Sequence, residues 1–178
     1  MASSRVERRV TRWGLFFGIA VAVVIVDQLS KAWLVANVDP GGAIEIVGDW
    51  LRLIHGRNDG GLFGLFGGSA AVLAIASLAV IGLIVAYHAR ARPSIVLTIA
   101  LGLLLGGAIG NLLDRIRYGY VVDFVDLGIG DLRWYTFNVA DAAISCAILL
   151  LLLSAFVADR GGRAGSATGS APSGRTDG

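Results

Sequence analysis

The sequence predicts an all-α membrane protein: four transmembrane helices with a small outer-face β-sheet and loop region. Three observations lead there. Of 178 residues, 56% are hydrophobic and only 16% charged, too apolar for an ordinary soluble domain. Four apolar runs of roughly 20 residues are nearly free of charge, and at ~1.5 Å per residue each covers a ~30 Å hydrocarbon core. The charges collect in the ends and in two loops. The net charge of +2 comes from arginine-rich ends rather than a basic face, so nucleic acid is not expected as a partner. The single cysteine, Cys146, lies in an apolar run. It excludes an internal disulfide framework and reads as a buried, inert thiol.

Residues 1–12 form a basic tail carrying Arg5, Arg8, Arg9 and Arg12. The apolar run from Trp13 starts like a secretory signal peptide. Hydrophobicity resumes after Asp27-Gln28, however, so residues 13–37 read as an uncleaved first span. Residues 69–87 and 94–113 are charge-free and form spans two and three, with Pro93 ahead of the third. Residues 138–157 form the fourth, with Asp141 as its one charge. Together residues 13–160 make one four-helix domain. Residues 161–178 offer little to bury and are expected to be a disordered cytoplasmic tail.

Lysine and arginine in the flanks give the orientation. The amino-terminal tail, the turn with Arg90 and Arg92, and the end with Arg160, Arg163 and Arg175 lie on one side of a four-span chain. That side is expected to be the cytoplasm, with both termini there. The loops 38–68 and 114–137 then face outward, and they hold eight of the thirteen acids. Trp33, Trp50, Trp134 and Tyr135 fall near the outer interface, Trp13 and Tyr87 near the inner one. Within the first outer loop, 44–47 and 50–54 alternate as short strands, with Gly48-Asp49 as their turn.

Chemistry concentrates between Gly106 and Asp141, where five aspartates fall: Asp114, Asp123, Asp126, Asp131 and Asp141. Asp123 and Asp141 are the catalytic candidates. Both have apolar neighbours, where ionisation is costly and a pKa moves easily. Asp141 opens the fourth helix and is favoured there as the anion. Asp123 lies between Val122 and Phe124 without such help. Unlike environments of this kind set up an acid and base pair. The bland readings are a turn residue for Asp123 and a helix cap for Asp141.

Other polar residues flank this pair. Asp27 and Lys31 are four apart on one helical face and read either as a snorkelling ion pair or as part of a polar pocket. Asn58 lies in a glycine-rich turn, with donor and acceptor to offer a peptide backbone, and Phe63 reads as an apolar wedge. Gly102, Gly106 and Gly110 have the spacing of close helix contact. Asp114 sits at a helix carboxy terminus, opposed by the helix dipole, and therefore needs a cation; Arg115 or Arg117 is the expected partner. Asn138 shares a face with Asp141. His55 and His88 receive no role.

These segments resemble the lipoprotein signal peptidase family, signal peptidase II. The matching pieces are Asp27-Gln28-x-x-Lys31, Asn58-x-Gly60, Gly106-Gly107-Ala108-x-Gly110-Asn111-x-x-Asp114-Arg115, Val122-Asp123-Phe124 and Phe137-Asn138-x-Ala140-Asp141. They occur in the family's order and cover most of residues 13–157. The resemblance implies an aspartic endopeptidase with Asp123 and Asp141 as the catalytic pair. It also implies that Asn58, Asn111, Arg115 and Asn138 line the substrate site, with Asp27, Lys31 and Asp114 in support. The implied substrate is a prolipoprotein whose cysteine already carries diacylglycerol, cut just before that cysteine at the outer face of the cytoplasmic membrane. No metal and no cofactor are expected; the partners would be substrate and membrane lipid, and the enzyme a monomer. The rival readings are a small proton-coupled membrane transporter and a non-enzymatic assembly protein. Acids clustered at one surface, with none in the middle of spans two and three, argue against a path across the membrane.

Overall fold

A computed structural model describes residues 2–60, 70–91 and 93–167. Among the described residues, four helices are long and apolar enough to cross a membrane. They are α1 (Ala2–Asn37), α2 (Ala70–Arg90), α3 (Ile95–Tyr118) and α4 (Val139–Ala167). Strands β1 (Ala43–Val47) and β2 (Leu51–Asn58) lie between α1 and α2, and β3 (Val121–Ile129) and β4 (Leu132–Arg133) between α3 and α4. The four strands pair antiparallel in the order β1-β2-β3-β4.

Helix α3 is the axis of the bundle, packing against α1, α2 and α4. In its most apolar stretch 61% is buried, against 22% in α1, 17% in α4 and none in α2. The reason is in its glycines. A Cβ on Gly102 or Gly106 would stand 2.9 and 2.8 Å from the Phe16 and Ala20 carbonyl oxygens of α1. One on Gly107 would stand 2.5 Å from the Ala140 oxygen of α4. Without side chains at these points the backbones approach closely, as the glycine spacing predicts. The outward faces carry large apolar side chains such as Ile25, Leu29, Ile75, Leu83, Leu152 and Phe156. That is the inverse of a soluble bundle, and lipid tails are the natural cover for it.

Two apolar clusters hold the ends. Phe16, Ala20, Ile84, Leu101 and Leu105 pack at one end, where His88 stacks on Phe16 with ring centroids 4.2 Å apart. At the other end, Leu34 of α1 and Val38 just beyond it pack against Val122 and Phe124 of β3. This second cluster seats the sheet on the helices and fixes the strand that bears Asp123.

Several boundaries differ from expectation. Helix α1 begins at Ala2, within the basic tail, because nothing in that tail breaks a helix already propagating from the apolar run. Helix α3 continues past Leu113 to Tyr118, so Asp114 and Arg115 are helical rather than in the outer loop. It stops where Gly119 takes φ 77° and donates its N–H to the Arg115 oxygen. At its start Ser94 is the cap, its hydroxyl accepting from the Leu97 N–H. Helix α4 runs to Ala167, into the stretch expected to be disordered. Phe63, proposed as a wedge, lies outside the described residues, as do 168–178.

Candidate active site

The site forms where the carboxy-terminal ends of α1 and α3, the start of α4 and the strand β3 converge. Its floor is a buried ion cluster. Asp27, Lys31 and Asp114 are 0%, 3% and 1% exposed. The Lys31 ammonium lies 2.8 Å from a carboxylate oxygen of each aspartate. Lys31, not Arg115 or Arg117, is therefore the cation Asp114 requires. Helical spacing put Lys31 beside Asp27, but only packing of α1 on α3 brings it to Asp114. The remaining oxygens are satisfied by donors. Asp27 accepts from the Ala140 N–H at 3.0 Å, Asp114 from the Val122 N–H at 3.1 Å and from the Gln28 amide at 2.9 Å. Buried charges persist only when paired and hydrogen-bonded in this way. The cluster thus ties α1 to the first turn of α4 and to β3, the two elements that carry the candidate pair. Gln28 went unassigned in the sequence; it also donates to Asp27 and the Gly110 oxygen.

Three asparagines stand between this floor and the two carboxylates. Asn111 accepts from Lys31 at 3.3 Å and from the Asn138 amide at 3.1 Å. With its oxygen engaged, its NH₂ faces Asp141 and donates at 2.8 Å. Asn138 donates to one oxygen of Asp123 at 2.6 Å, and Asn58 donates to the other at 2.9 Å. Asn58 is itself held by an Asx turn, its oxygen accepting from the Gly60 N–H at 3.0 Å. The asparagine amides are thus engaged on carboxylates rather than turned out towards a substrate. An ammonium orients one amide, and that amide and its neighbour orient the acids.

Asp141 also completes a reciprocal cap. The Asn138 side chain accepts from the Asp141 N–H at 2.9 Å, and Asp141 accepts from the Asn138 N–H at 3.3 Å. This is the geometry of a capping box, with Asn and Asp in place of the usual residues. The cap reading and the site reading of Asp141 therefore hold together. Asp123 is not a turn residue. It lies mid-strand on β3, opposite Gly56, where β2 carries a bulge. A Cβ on Gly56 would stand 2.6 Å from the Asp123 backbone oxygen, so only glycine allows the strands this approach. The β-branched and aromatic residues Val121, Val122, Phe124 and Val125 could have revealed the strand.

The surroundings bear on the charge of Asp123. Burial, then the charge of Asp141, push the Asp123 carboxyl up to about 6, against the pull of the Asn58 and Asn138 amides. Arg115 lies in the field of Asp141, Asp123 and Asp114, and donates to the Asn111 backbone oxygen at 3.2 Å. Tyr135 is unassigned by the sequence beyond its place at the interface. Its phenol is pushed up by burial, then by the charges of Asp123 and Asp141. Among the described residues, no three His, Cys, Asp or Glu side chains are placed to hold a metal ion.

Residues 19–157 match the family described as Signal peptidase (SPase) II. The chain belongs to that family. It is 41% identical to the lipoprotein signal peptidase of Syntrophomonas wolfei over 138 residues, covering 78% of this chain and 90% of that one. It is 40% identical to the lipoprotein signal peptidase of Caulobacter vibrioides over 159 residues, covering 84% and 92%. Its fold superposes on a bacterial membrane enzyme solved by the in meso method at 2.3 Å resolution, with TM-score 0.74 and 26% identity across 92% of this chain and 95% of that one. Membership makes this a membrane-embedded peptidase of lipoprotein processing, with four membrane-length helices.

Proposed function

We propose that the protein is an aspartic endopeptidase that removes the signal peptide from diacylglyceryl-modified prolipoproteins. It would cut just before the lipidated cysteine, at the outer face of the cytoplasmic membrane. The observation that carries this reading is the convergence of Asp123 and Asp141, held by separate amides and electrostatically coupled. Two carboxyls that feel one another at close range share a proton, and their apparent pKa values belong to the pair.

The chemistry follows from that shared proton. A water between the carboxyls gives its proton to the ionised one as its oxygen attacks the scissile carbonyl. The protonated partner donates to the oxygen on which charge develops. Collapse of the tetrahedral intermediate breaks the C–N bond, and the proton gained from water passes to the departing amine. Asp141 suits the anionic role, since it sits at a helix amino terminus with two donors. Asp123, in the more apolar setting, suits the protonated role. Arg115, partly exposed and in the field of both acids, is the cation we assign to meet a substrate carbonyl. Apolar faces of the helices would hold the acyl chains. The site supports this orientation as well: a signal peptide spans with its amino terminus inside, so its cleavage point falls at the outer ends of the helices.

The test is cleavage of a diacylglyceryl-modified prolipoprotein by purified protein in lipid or detergent. The parent should cut it, and Asp123→Asn and Asp141→Asn should each lose at least ~10³-fold in kcat while remaining folded. Near-parental cleavage by either variant would remove the dyad. Proton or solute flux in liposomes, with no cleavage, would favour a transporter.

A further inference from the structure

A second ion cluster lies on the sheet, away from Lys31, and the dyad makes no direct use of it. Its centre is Asp126, three residues along β3 from Asp123 and 3% exposed. Arg133 donates to both its oxygens, Nε to Oδ1 at 3.1 Å and Nη2 to Oδ2 at 2.7 Å. Arg52, directly across from Asp126 on β2, donates to Oδ2 through Nε at 2.9 Å and Nη2 at 2.7 Å. Asp49 in the β1–β2 turn balances the charge. It accepts from Arg133 and from the Gly130 N–H, and pairs with Arg52 at 3.2 Å. The Arg133 guanidinium beside Asp126 holds its carboxyl below the usual range.

The cluster matters for what Arg133 begins. From Arg133 the chain runs back along β3 to the start of α4. Trp134 donates to the Leu127 oxygen, and Phe137 donates to the Val125 oxygen. The next residue is Asn138, which holds Asp123 and caps the helix bearing Asp141. The strand carrying one acid and the strap leading to the other are therefore fastened at Asp126. Three of the four donors meet Oδ2 and one meets Oδ1, so the carboxylate is committed to the two arginines rather than held out towards a substrate. We propose that Asp126 and Arg133 form a positioning pair that sets where Asp141 stands relative to Asp123.

This inference rests on the dyad reading and is tested beside it. The full chain is assayed on a synthetic diacylglyceryl-cysteine peptide spanning the cleavage point, with thermal unfolding followed in parallel. The parent is compared with Asp126→Asn, Arg133→Gln, Arg133→Lys, Arg52→Gln and Asp123→Asn. Misplacing a reacting group by about 1 Å costs on the order of 10²-fold, so kcat for Asp126→Asn and Arg133→Gln should fall ~10- to 100-fold with KM within about threefold. Arg133→Lys keeps the charge but not the fork and should recover part of the loss. Arg52→Gln, off the strap, should cost less than Arg133→Gln. A kcat within about twofold of the parent, a loss confined to KM, or equal losses in Arg52→Gln and Arg133→Gln would overturn the pair. If Asp126→Asn does not fold, the comparison of Arg133→Lys with Arg52→Gln decides. Activity in Asp123→Asn would instead sink the dyad. An inactive Asp123→Asn beside full activity in the Asp126 and Arg133 variants would sink the positioning pair alone.

Discussion

Asp123 and Asp141 are the same residue type given different surroundings. Asp141 has a helix amino terminus and an amide whose direction Lys31 dictates through Asn111. Asp123 has two amides, but burial outweighs them and its carboxyl rises to about 6. A raised carboxyl is neutral in the fold at pH values where it would be ionised in the unfolded chain. Its favourable contribution to stability is therefore complete below 3.8 and lost as pH rises through about 6. The same direction governs catalysis, because the pair must keep one proton. In kcat/KM, activity should fall on the alkaline side, starting near the upper apparent value of the pair. Bound substrate displaces further water, so the fall in kcat should begin at higher pH than the fall in kcat/KM. A kcat/KM profile flat from about pH 5 to 8 would contradict this account.

At the scale of elements, α3 decides how near α1 and α4 can come, and so how near Asp141 is to β3. Gly107 and Gly82 give opposite expectations for the same change. A Cβ on Gly107 would meet the Ala140 backbone oxygen at 2.5 Å and Ile144 at 2.6 Å, and a backbone atom cannot swing aside. Gly107→Ala should push α4 off α3, lower stability by about 1–3 kcal/mol and cut kcat at least ~10-fold. Gly82, on the exposed face of α2, has nothing within 4 Å of that position. Gly82→Ala should leave kcat unchanged and stabilise by roughly 0.5–1 kcal/mol, as alanine restricts the unfolded chain. Equal behaviour of the two variants in thermal unfolding and cleavage would show that helix spacing does not limit the site.

For the whole molecule, the testable matter is which end of the bundle meets which compartment. The arginine bias sends the α2–α3 turn inward and the β3–β4 hairpin outward. Cys146 is the only native thiol, so a Cys146→Ser background isolates introduced ones. In intact cells a membrane-impermeant maleimide should label Asp131→Cys in the hairpin. It should label Ala91→Cys only after the membrane is opened. The reverse pattern would invert the orientation and move the proposed cleavage to the wrong face. Cys146 itself is exposed on the bundle surface, not buried as its apolar run implied, since in this fold apolar residues face outward.

The spans, the glycine face of α3, the Asp27–Lys31 pair and the two candidate acids were all legible in the sequence. Each depends on local composition or on helical spacing, which one chain segment settles by itself. What was not legible depends on contacts between segments. The cation for Asp114 comes from a helix 83 residues away, a separation read from Lys31 and Asp114 themselves. The asparagines read as substrate-facing groups, because a residue type does not reveal which way its amide is turned. Asp123 read as a turn residue or an acid without support, because β3 exists only in company with β2 and the strap. Asp126 looked like one more outer-loop acid until two strands brought Arg52 and Arg133 onto it. The sequence by itself determined that this protein crosses a membrane four times and carries acids at one surface. Only the tertiary structure decided which acids meet and which way each amide points. Those outcomes are set by distance and desolvation between segments, and neither is a property of any one stretch of chain.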